Sequence, residues 1–319
     1  MVKPKRILLL FFPFSILTCA VSLFRLAEDL VALRKHCSVN ANAVPQDVYW
    51  NDFQEVRDYL NRLATGSKDV DWQQHLRNFS RHGRFKKALI LFCQTGSLEA
   101  ELYSKGLIDQ AVGLDHDENK IIEARQRANE YNLPFKYFHV NDLSLLSSQK
   151  TFPGSGYDLI INNDLDYITE IDLHLTAIHR LLKRDGGIFV TYARVRGQET
   201  PFTDSHWQRI QQINRRTDPL FRNEHLIREL RSEHNNHLVV PKLHVHFHTV
   251  WSRSLNGALA YVLLSKNSKL SHATYGHEKE LQEYVSSILQ EDEKYAQEYP
   301  GSNLFWFGVL KAKRRSLYN

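Results

Sequence analysis

FKKALILFCQTGSLEAELYSKGLIDQAVGLDHDENKIIEARQRA, residues 85–128, decides the fold. Residues 88–92 form an unbroken apolar run, the pattern of a parallel strand covered on both faces. Gly96 follows and permits a tight turn with close backbone approach to a ligand. A helix over residues 98–104 is expected next, then a second apolar strand, 111–114, ending in Asp115. Asp117 is placed to cap a helix over 118–130, with Ile121, Ile122 and Ala124 facing inward. The pattern continues outward. Residues 135–140 read as a third strand ending at Asn141 and Asp142, and 157–161 as a fourth, followed by Asn162, Asn163 and Asp164. A helix over 171–183 leads through Gly186 and Gly187 into a fifth strand, 188–192. Strands alternating with helices imply a parallel, doubly wound sheet of the Rossmann-like α/β class. In such sheets a ligand sits at the carboxyl ends of the strands, where the strand order reverses. The polar residues Asp115, Asp142, Asn162 and Asn163 fall at those ends.

These segments resemble the class I S-adenosylmethionine-dependent methyltransferase family, of the methyltransferase type 11 kind, and the later order of a strand, Trp251 and Ser252, an apolar helix, Ser265, a long helix and a final strand resembles its trans-aconitate methyltransferase-like members. ALILFCQTGSLEAEL looks like its motif I, VGLDHDENKIIEARQRA like motif II, FHVNDL like motif III and YDLIINNDLDYI like motif IV. HRLLKRDGGIFVTY looks like the strand that follows them. The resemblance implies S-adenosyl-L-methionine as cofactor and a small-molecule methyl acceptor. It implies that Cys93 and Gly96, with the turn between them, hold the methionine part. Asp115 would bind the ribose and His116 flank the adenine. Asp142 and Leu143 would hold the adenine edge, and Asn162 and Asn163 would line the transfer site. No catalytic side chain is assigned, because the sulfonium is already activated and transfer needs mainly in-line positioning. One departure stands out. Where the family has an acid and alternate glycines, this chain has Ile90, Phe92, Gln94 and Gly96. A catalytically inactive, methyltransferase-like interaction protein is therefore the competing expectation.

The 319-residue chain is expected to divide four ways. Residues 1–25 are a membrane anchor or signal segment, and 26–84 a linker with a helical lid or packing layer. Residues 85–195 are the Rossmann-like core, and 196–319 a substrate-lid region carrying two further strands. The last of seven strands, within SNLFWFGVLKAK, is expected to run antiparallel. At the N-terminus Lys3, Lys5 and Arg6 precede residues 7–24, which carry no charge. A helix that long spans a bilayer core of ~30 Å. An uncleaved single-pass anchor with a cytosol-facing domain, a secreted form after signal cleavage, and an interfacial helix are the alternatives.

The net charge of +5 is mild and spread along the chain, so no nucleic-acid partner is expected. Cys19, Cys37 and Cys93 suggest no disulfide framework. PKLHVHFHTVW is expected to be the sixth strand, placing His244, His246 and His248 on one face. With no carboxylate or cysteine expected beside them, no metal site is assigned. Oligomeric state is not legible.

Overall fold

The computed structural model describes residues 50–141, 154–165, 168–194, 203–224, 226, 238–273 and 276–313. The N-terminal apolar segment, Asp142 and Leu143 lie outside the described residues. Among those described, no helix is long and apolar enough to cross a membrane.

A seven-stranded sheet in the order β3-β2-β1-β4-β5-β7-β6 forms the centre. Its strands are β1 (Phe85–Leu91), β2 (Ile108–Asp115), β3 (Phe135–His139), β4 (Leu159–Asn162), β5 (Ile188–Arg194), β6 (Phe247–Ser254) and β7 (Phe305–Ala312). The five strands β1 to β5 pair in parallel, and β7 runs antiparallel to both β5 and β6. This is the expected Rossmann-like arrangement with one reversed strand. Side-chain alternation explains the continuous apolar runs. Ala88 and Ile90 of β1 enter one core layer, while Leu89 and Leu91 enter the other. All four are at most 2% exposed, and each large side chain buried this way contributes roughly 1.5–3 kcal/mol.

Helices α1 (Gln54–Thr65) and α2 (Trp72–His75) precede the sheet. α3 (Ser97–Ser104), α4 (Glu118–Glu130) and α5 (Ile171–Leu181) connect its parallel strands. α6 (Asp204–Arg216), α7 (Val239–His246), α8 (Ala260–Leu264), α9 (Ser268–Ala273) and α10 (Glu278–Glu298) follow. Asp117 caps α4 as expected, its Oδ1 accepting from Asn119 N–H at 3.0 Å and Lys120 N–H at 3.3 Å. The N-terminal helices are packed into the core: Val56 and Leu76 have no exposed surface. Trp251 Nε1 donates to the Ala64 carbonyl at 3.0 Å, tying α1 to β6.

The sixth strand begins later than the sequence pattern suggests. Val239, Leu243 and Phe247 are buried at a spacing of four, so helical periodicity prevails up to His246. His244 and His246 therefore sit on α7 and His248 on β6, which dissolves the expected one-faced row of imidazoles. A carboxylate does lie beside them. Asp172 of α5 accepts from Lys242 Nζ at 2.5 Å and meets His246 Nε2 at 3.3 Å. The ammonium of Lys242, and then His246, hold the Asp172 carboxyl below its ordinary range. No grouping of three or more metal-ligating side chains occurs among the described residues.

Candidate functional site

The strand order reverses between β1 and β4, so the crevice beyond their carboxyl ends is the switch point. The loop of residues 92–96 leaves β1 there. Phe92, Gln94 and Gly96 have φ of 56°, 50° and 77°. A side chain in this left-handed region costs about 1 kcal/mol, a cost glycine avoids. The loop thus keeps a glycine-type backbone at three alternate positions, of which only the last is glycine. A Cβ on Gly96 would lie 2.3 Å from Tyr137 Oη, so that position cannot take a side chain without displacing the ring.

Contacts from both sides offset the strain. Asp115 Oδ2 accepts from Gln94 N–H at 2.8 Å. Cys93 N–H donates to the Leu114 carbonyl at 3.0 Å, and Gly96 N–H to the Cys93 carbonyl at 3.0 Å. From α4, Arg127 Nη1 donates to the Thr95 carbonyl at 2.7 Å and to Ser97 Oγ at 3.1 Å. Its Nη2 pairs with Glu123 at 3.0 Å.

Asp115 ends β2 at the crevice and is 1% exposed. Its Oδ1 accepts from Asp117 N–H at 2.9 Å and lies 3.5 Å from His116 Nδ1. A carboxylate offers roughly four lone-pair sites, so two backbone N–H groups leave capacity for a further pair of donors. His116 presents an exposed ring whose centroid is 6.0 Å from that of Phe92, at 73°. The two rings make an aromatic corner beside Asp115. Cys93 is buried, 4% exposed, and faces the core rather than the crevice. Burial, then Glu99 and Asp115, push its thiol far up.

At the end of β4, Asn162 is fully buried. Its Nδ2 donates to His174 Nε2 at 2.8 Å and its Oδ1 accepts from Asp164 N–H at 2.9 Å. Asn163 Oδ1 accepts from Tyr192 N–H at 3.2 Å, joining β4 to β5. The Tyr192 ring stacks on Phe305 at 5.1 Å, and Phe305 stacks in turn on Trp50 at 5.1 Å. Tyr261 closes this group edge-on to Phe305 at 5.3 Å.

Of the residues expected at the site, Gly96, Asp115 and His116 gather at the end of β1 and β2. Asn162 and Asn163 stand at the end of β4, where the Asn162 amide and the Asn163 Oδ1 bond to neighbouring residues. Sequence reasoning missed Arg127, which reads as one more charge on an amphipathic helix. At Phe92, one of the departures from the family pattern, the backbone adopts the left-handed loop conformation and the ring meets His116.

The sequence profile described as "methyltransferase domain" matches residues 86–304. Comparison with curated proteins yields no match. Among solved structures, the PH0226 protein from Pyrococcus horikoshii OT3 is 16% identical, with 72% of this chain and 82% of that chain covered and a TM-score of 0.40. Geranyl diphosphate C-methyltransferase from Streptomyces coelicolor A3(2), in complex with Mg2+, geranyl diphosphate and S-adenosyl-L-homocysteine, is 13% identical, with coverages of 72% and 73% and a TM-score of 0.44. The [4+2]-cyclase SpnF is 14% identical, with coverages of 93% and 97% and a TM-score of 0.47.

Proposed function

We propose, for a chain that belongs to the methyltransferase-domain family through residues 86–304, that it transfers the methyl group of S-adenosylmethionine to a small apolar or carboxylate-bearing acceptor. Membership makes it an S-adenosylmethionine-dependent methyltransferase; the acceptor and the residue roles are our proposal. The observation that carries those roles is the first loop. Phe92, Gln94 and Gly96 keep the left-handed backbone, and Asp115 is latched to Gln94 N–H with acceptor capacity to spare. These residues fit the donor. Asp115 would accept the ribose hydroxyls, His116 and Phe92 would flank the adenine, and the turn from Cys93 to Gly96 would hold the methionine end. Asp142 and Leu143 would border the adenine edge. The bound donor supplies a methyl group already activated on a sulfonium. The chain's part is to orient donor and acceptor and to exclude water. Asn162 and Asn163 act by fixing the end of β4 against His174 and Tyr192. The half-buried Tyr192, beside Tyr261 and Phe305, supports an apolar acceptor.

We also propose attachment to a membrane through residues 7–24, with the catalytic part facing the cytosol, where the donor is made. The uncharged run and its basic start support this. Carbonate extraction tests it: an anchored chain stays in the pellet, and a processed or peripheral one is released. Donor binding is tested by isothermal titration of the full chain in detergent with S-adenosylmethionine and S-adenosylhomocysteine. Saturable heat with one site per chain is expected. Absence of heat at millimolar ligand would overturn the assignment and leave an interaction scaffold.

A further inference from the structure

Beneath the first loop lies a carboxyl that the scheme above does not use. Glu99, third residue of α3, has no exposed surface. Neither of its oxygens has a hydrogen-bond partner on another residue among the described residues. A buried acceptor without a donor costs roughly 1–3 kcal/mol and is rare. Glu99 belongs to a cluster. A Cβ on Gly113 would lie 2.7 Å from Glu99 Oε1 and 2.5 Å from Tyr137 Cδ1, so strand β2 carries glycine where this acid and this ring press on it. The same Tyr137 supports Gly96 of the loop from below. The groups facing Glu99 are Cys93 of the loop, Asp115 of β2, Tyr137 of β3 and Arg127 of α4.

We propose that Glu99 is a positioning residue of the methyl-donor site: as the neutral acid it supports the loop of residues 92–96 through Tyr137 and Cys93, and on ionisation it releases that support. This rests on the donor-binding assignment above. Burial is the main cause that lifts the Glu99 carboxyl from 4.5 to about 8; its own N–H opposes this, Asp115 adds to it, and Arg127 opposes it. The sign follows from linkage. An acid whose folded-state value is raised stabilises the fold most below 4.5, and that contribution is lost as pH rises through about 8. The new charge would sit beside the Asp115 side chain that holds Gln94.

The test compares the full chain with Glu99→Gln, which keeps the shape and cannot ionise. S-adenosylhomocysteine affinity is measured from pH 6 to about 9.5. If only the neutral form binds, wild-type affinity falls up to about tenfold per pH unit above the transition. The Glu99→Gln variant should retain binding at pH 6 and lose clearly less affinity than wild type as pH rises through the transition. Parallel profiles, or a variant that fails to bind at pH 6, would overturn the proposal. A readout without ligand separates this from the donor assignment. Hydrogen–deuterium exchange of the Gln94 and Gly96 amides, followed by mass spectrometry, reports opening of the loop. The wild-type rate divided by the Glu99→Gln rate at the same pH should rise across the transition. A constant ratio would overturn the proposal, and a rising ratio without ligand binding would uphold it while the donor assignment falls.

Discussion

Asp292 and Glu99 are both carboxyls without exposed surface, and they could hardly be treated more differently. Asp292, on α10, accepts from Gly257 N–H at 2.8 Å, Leu259 N–H at 2.7 Å, Ala260 N–H at 3.1 Å and Tyr59 Oη at 3.0 Å. It welds α1, the turn before α8 and α10 into one unit. Burial still raises its carboxyl, against the pull of those donors. Glu99 accepts from no other residue among the described residues. An unmet group at the switch-point loop and a fully met one away from it mark the difference between a part that must be able to respond and a part that must stay put.

The contrast can be broken by substitution. Asp292→Ala orphans three backbone N–H groups, and a loss of about 3–5 kcal/mol is expected in urea unfolding. A loss below about 1 kcal/mol would deny Asp292 its scaffold role. Gly96→Ala puts a methyl against Tyr137 at a left-handed position, so about 2 kcal/mol of stability should go. Its effect on S-adenosylhomocysteine affinity should exceed what the stability change alone produces. Arg127→Ala removes the charged clamp on Thr95, with an expected cost of about 1.5 kcal/mol. Arg127→Lys should recover only part of it, because one ammonium cannot reach Thr95, Ser97 and Glu123 together. Gln94→Gly should act in the opposite sense, stabilising by about 0.5–1 kcal/mol through relief of the left-handed strain. A destabilisation there would mean that the glutamine side chain itself holds the loop.

Strands β1 and β2 and helix α4 were legible because their signals are local. Continuous apolar runs give the strands, and Asp117 followed by an amphipathic stretch gives the helix. Asp115 was legible for the same reason: it ends a strand. Glu99 and Asp292 were not, since each lies in a helix among other charged residues and reads as solvent-facing. The one local sign was Gly113 inside an apolar strand, which marks close approach of another group. The boundary between α7 and β6 was missed because alternating histidines mimic a strand. Only the burial of Val239, Leu243 and Phe247 reveals the helical period.

The most direct test of the donor site is titration of S-adenosylhomocysteine into Asp115→Ala and Asp117→Ala. These carboxylates are two residues apart, but only Asp115 faces the first loop; Asp117 caps α4. Loss of two hydrogen bonds to a charged acceptor should weaken binding of Asp115→Ala by about a hundredfold or more, with Asp117→Ala near wild type. Equal affinities for Asp115→Ala and wild type would contradict the assignment.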